Sequence, residues 1–124
     1  MRETTLWVLH LVAGAGLVVL LGAHMAVQHF PRVLSAAGWV EEPVREFASV
    51  AARSASPGWV VLYGLLVVFA VYHGLYGLRR ILHEAGWGPK VGRVVDVAVV
   101  VAGVVLVAYG LVTAVQGLRG GGAL

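Results

Sequence analysis

Three long stretches of this chain carry no Asp, Glu, Lys or Arg: Thr4 to Pro31, Ser54 to Leu78 and Val97 to Leu118. They hold 28, 25 and 22 residues. Roughly 20 apolar residues cross a bilayer as a helix, because lipid obliges the backbone to satisfy its hydrogen bonds internally. Each window is therefore long enough to span. With 60% hydrophobic and only 12% charged residues, a water-soluble domain could not cover its surface. The expectation is an all-α membrane protein forming one domain over residues 1–124. It has transmembrane helices at about 5–30, 57–82 and 91–117 and a short amphipathic helix between the first two.

The punctuation between the windows supports those limits. Pro31 stops the first helix and Pro57 suits the first turn of the second. In the long first loop, apolar residues at 44, 47, 48 and 51 predict an amphipathic helix over 44–53, lying on the membrane surface. The tail Gly120-Gly121-Gly122 should fray. A signal peptide is a poor reading of the first window, whose apolar run far exceeds an export h-region of about 7–15 residues. The second loop places Arg79, Arg80, Lys90 and Arg93 against Glu84, whereas the first balances its charges. The positive-inside rule then puts the second loop and the amino terminus in the cytoplasm. Trp7, Trp39, Trp59 and Trp87 fall close to span ends, as an aromatic belt would place them. A net charge of +3, mostly in one loop, is no nucleic-acid footprint, and without Cys the chain can build no Fe–S cluster.

Histidines inside such windows need a reason, since lipid offers imidazole no partner. His73 lies late in the second span and His24 late in the first. Neutral imidazole is a good iron ligand, and haem is often held by lone histidines on facing helices. Gly77 is four residues past His73 and leaves room on the same face for a flat ring. Arg79 and Arg80 follow at the interface, where haem propionates need cations. Helix arithmetic puts His24 roughly 27 Å and His73 roughly 12 Å from the inner surface. Imidazoles about 15 Å apart in depth cannot share one iron. Each would serve a separate haem, with the second axial ligand supplied by a partner. His10, close to His24 on the helical wheel, could bind a propionate or a quinone at the inner level. His29 and His83 read as interfacial. Gly103, Gly110 and Gly117, seven apart, read as a helix-packing stripe.

At these residues the chain resembles the membrane anchor subunits of succinate dehydrogenase and fumarate reductase. Tyr72-His73 with Gly77 and Arg79 matches that family's H-x-x-x-G-x-R element. Leu9-His10-Leu11-Val12-Ala13-Gly14, with His24 beyond, follows the first helix of its dihaem members, and Trp87-Gly88 and the third span follow its plan. The resemblance implies a complex of FAD flavoprotein, iron–sulfur protein and two small anchors in a bacterial or archaeal cytoplasmic membrane. Succinate is oxidised on the cytoplasmic side, a step of the tricarboxylic acid cycle, and electrons pass to membrane quinone. It also implies haem b, cytochrome-like, with His73 the inner and His24 the outer axial ligand: two haems, or one if His24 does not ligate. Single-haem members place Ser and Arg for the quinone where this chain has Trp7 and Leu11. Where other members have Asp-Tyr, it has Glu84-Ala85, so Glu84 and Trp87 are its weak quinone candidates and the sister anchor supplies most of that site.

Two other function classes fit the same spans. A haem-free structural anchor would dock an iron–sulfur protein through its basic loop. A small proton-conducting or transport subunit would relay protons through the histidines, and it would need carboxylates near the midplane. Asp96 lies at the inner end of the third span instead.

Overall fold

The computed structural model describes residues 2–40, 43 and 46–120. It is all-helical: α1 (Arg2–His29), α2 (Pro31–Ala36), α3 (Phe47–Ala55), α4 (Pro57–Glu84) and α5 (Pro89–Gly120). Proline opens α2, α4 and α5, where its missing N–H costs no helical hydrogen bond and its fixed φ suits the first turn. Pro31 therefore ends α1 without ending helical structure, and the chain restarts as α2, which the sequence alone does not separate from the loop. Gly38 and Gly86 hold φ of +74° and +75°, turning the chain after α2 and between α4 and α5.

α1, α4 and α5 are each long and apolar enough to cross a membrane. α1 starts earlier than expected and ends at His29, α4 ends two residues later, and α5 extends at both ends, because the helices continue into charged residues. Val18 (77% exposed) and Val94 (68%) lie on faces that find no cover within the chain, as expected of helices that meet lipid or a partner helix. α4 is the central helix. It packs against both α1 and α5, and α1 and α5 form no interface with each other among the described residues.

Glycines set how closely these helices approach. Gly16 of α1 receives the Phe69 ring of α4. A Cβ on Gly110 of α5 would come within 2.7 Å of Val67 Cγ1, and one on Gly103 within 3.2 Å of Leu75 Cδ1. Gly117 does the same for α3, where a Cβ would meet Ser54 Cβ at 2.8 Å and Ser54 O at 3.0 Å. The seven-residue glycine stripe thus packs α5 on α4 and α3. α3 begins at Phe47 and docks on α4 and α5, with Arg53 buried beneath it. Val44 and Arg45, where the amphipathic stretch was expected to start, lie outside the described residues, as do Gly121 and Gly122 of the tail.

Candidate functional site

Polar side chains concentrate at one end of the bundle and in the seam between α1 and α4. His73 crosses that seam. Its Nδ1 lies 3.1 Å from the carbonyl oxygen of His10. A carbonyl can only accept, so Nδ1 carries the proton, and in the neutral imidazole this leaves the lone pair on Nε2. Gly14 makes the approach possible, since a Cβ there would fall 2.9 Å from His73 Cε1. The His10 imidazole stacks on that of His73, with ring centroids 4.1 Å apart and planes 5° from parallel. It also meets Tyr76 at 5.0 Å, and it lies over Gly77, 3.5 Å from where a Cβ would be. The room that Gly77 provides is thus taken by His10. Gly74, next to His73, has nothing within 4 Å of its Cβ position and leaves that flank open.

Two atoms in this cluster are buried without a hydrogen-bond partner: His10 Nδ1 and Tyr76 Oη. Buried polar groups are normally paired, so this pair marks a place where a polar ligand atom or water would be stabilised. Tyr72, by contrast, donates its hydroxyl proton to Leu6 O at 2.9 Å, a second tie between α4 and α1.

One to two turns nearer the end of α4, an ionic cluster joins all three spanning helices. Arg79 Nε donates to Asp96 Oδ1 of α5 at 2.7 Å, and His83 Nε2 lies 2.7 Å from the same oxygen. Arg79 Nη2 reaches Glu3 Oε1 of α1 at 3.7 Å. Arg79 is therefore engaged by carboxylates of this chain, and His83, expected to be merely interfacial, is one of the ties. Arg80 is exposed and lines a small polar pocket with Glu3, Arg79, His83 and Glu84. Trp87 is 57% exposed in the α4–α5 turn.

His24 belongs to the other end. Its ring meets Tyr63 edge-on at 6.0 Å, Tyr63 meets Trp59 at 5.8 Å, and the Arg53 guanidinium sits 6.0 Å over Trp59. No hydrogen bond orients His24 among the described residues. Tyr63 precedes His73 by ten residues, so the two histidines sit at levels about 15 Å apart along α4. Sequence reasoning did not foresee the His10–His73 stack, the Asp96 tie or the orphaned Tyr76 hydroxyl. Gly14, four residues after His10, was the available signal for the first, because a glycine on that face admits a ring from a neighbouring helix.

Three lipid-length helices, with their polar groups gathered in one seam and toward the two ends, define a small multi-pass membrane subunit. Residues 2–112 match the family described as "Succinate dehydrogenase/Fumarate reductase transmembrane subunit", and the chain belongs to that family. It is similar to the "Succinate dehydrogenase hydrophobic membrane anchor subunit" of Thermoplasma acidophilum, 29% identical over 83% of this chain and 77% of the relative. It is likewise similar to the protein of the same description from Archaeoglobus fulgidus, 27% identical over 88% of this chain and 86% of that one. No solved structure matches the chain.

Proposed function

We propose that this subunit is a haem-b-carrying anchor of a succinate:quinone oxidoreductase. It would sit beside a second small anchor and hold the flavoprotein and iron–sulfur subunits at the cytoplasmic face of a bacterial or archaeal membrane. The observation that carries the reading is the His73 Nδ1–His10 carbonyl hydrogen bond. Histidines that ligate metals commonly donate their other nitrogen in this way, which fixes the tautomer and turns a basic nitrogen toward the metal. His73 would hold the iron of a haem b, whose chemistry there is one-electron transfer between the iron–sulfur subunit and quinone. The donor set fits that group: one oriented imidazole from this chain, an open flank at Gly74, and Arg80 exposed seven residues on for a propionate.

The remaining residues take roles around that centre. His10 offers its unpaired Nδ1 to a propionate or to a quinone oxygen. Arg79 holds Asp96 and Glu3, so its service to a propionate would be secondary to holding the helices. Glu84 and Trp87 stay weak quinone candidates, exposed at the same end. His24 would ligate a second haem at the opposite level, although its ring lacks the orienting bond that His73 has. The resulting path, haem at each level, would carry electrons across the membrane.

A haem-free anchor is the second reading, favoured by the Arg79–Asp96–His83–Glu3 cluster, which joins three helices with no cofactor. Haem counted per flavin in the purified complex, from its reduced-minus-oxidised visible spectrum, separates the readings. Two haems per flavin are expected. One would confine ligation to the His73 level, and none would leave the structural anchor.

A further inference from the structure

The outer face of α5 carries a shallow, open groove, lined by residues of that helix alone, that plays no part in the site described above. It is lined by Val94, Ala98, Val101 and Val105, with Lys90 and Arg93 nearest the start of the helix. Both cations are exposed, and among the described residues neither makes an ion pair. The first turn of α5 has no acid, and Asp96 is committed to Arg79 and His83. The groove is thus an apolar strip with two unpaired positive charges at one end. From Val94 to Val105 it runs about 16 Å along the helix axis, close to the depth of one bilayer leaflet, about 15 Å.

We infer that this groove holds an anionic phospholipid, with its phosphate against Lys90 and Arg93 and an acyl chain along Val94 to Val105. Charge complementarity selects the head, and the length of the apolar run selects the tail. A helix of a partner subunit is the competing occupant, and the placement of α5 argues against it. α5 packs on α4 and forms no interface with α1 among the described residues. A haem shared with a partner at the α1–α4 seam draws that partner to α1 and α4 rather than to the outer face of α5. That last step rests on the proposed function; the charge and length arguments do not.

The test uses the assembled complex in nanodiscs of phosphatidylcholine, with the substitution Val101→Cys labelled by an environment-sensitive fluorophore. The chain has no Cys of its own. Brominated phosphatidylglycerol should quench the label at about one tenth of the concentration that brominated phosphatidylcholine requires, because each basic residue near the surface favours anionic lipid. Lys90→Gln with Arg93→Gln should abolish that preference while both lipids still quench. Equal quenching by the two lipids in the chain with its cations intact would overturn the inference, leaving only bulk lipid contact. Absence of quenching by either would overturn it too, since a protein helix then covers the groove. The haem spectrum of the same sample reads the proposed function separately, so selective quenching without haem upholds the lipid site, and haem without selective quenching rejects it.

Discussion

His73 is oriented by a side chain that is missing from another helix. With only hydrogen on Gly14, the imidazole comes close enough for Nδ1 to reach the His10 carbonyl. Gly14→Ala would push the ring back, and Gly14→Leu would fill its place at an overpacking cost of about 1–3 kcal/mol. If His73 ligates haem, Gly14→Ala should weaken the haem absorbance of the purified complex and Gly14→Leu should remove most of it. A full haem complement in Gly14→Leu would mean that this bond does not prepare the ligand. Asp96 is the other decisive residue, because a single oxygen takes hydrogen bonds from two side chains. Asp96→Asn removes the charge from both. With Asp96 partly exposed, the loss should be about 1 kcal/mol, read as a lower thermal midpoint of the complex. An unchanged midpoint would show that the cluster adds nothing to assembly.

Helices are held here by glycine contacts more than by buried bulk. The largest effect between α4 and α5 should come from Gly110→Leu, whose first side-chain carbon already falls 2.7 Å from Val67 Cγ1. Separation of α4 from α5 should cost about 1–3 kcal/mol and reduce the assembled complex on a native gel. Gly22→Ala is the comparison, since nothing lies within 4 Å of that position, and it should assemble normally. The spans, their order and the glycine stripe were legible because in lipid apolar length and close packing decide the structure, and both are local in sequence. α2 was not legible, because Pro31 signals a helix end as strongly as a helix start. Nor was the docking of α3, which depends on Ser54 meeting Gly117, a contact between residues far apart in the chain. At the candidate site, His73 and the separate level of His24 could be read from composition and helical rise. The His10 stack could not, since it depends on how α1 and α4 are set against each other.

At the scale of the whole molecule, orientation in the membrane and possession of a cofactor are the two properties to test. Basic residues gather at the end that holds Arg79, Arg80, Lys90 and Arg93, so that end is expected in the cytoplasm with the amino terminus. Lys90→Cys should react with an impermeant thiol reagent only from the cytoplasmic side, and reaction solely from outside would invert the molecule. In His24→Ala about half the haem signal should remain, following from one ligand at each of two levels about 15 Å apart. The central claim is that His73 brings iron to the membrane, and it is tested most directly by the reduced-minus-oxidised spectrum of the complex carrying His73→Ala. The inner haem should disappear and the complex should assemble less well, because a ligand that binds only the assembled state stabilises it. A haem spectrum unchanged in His73→Ala would contradict the account.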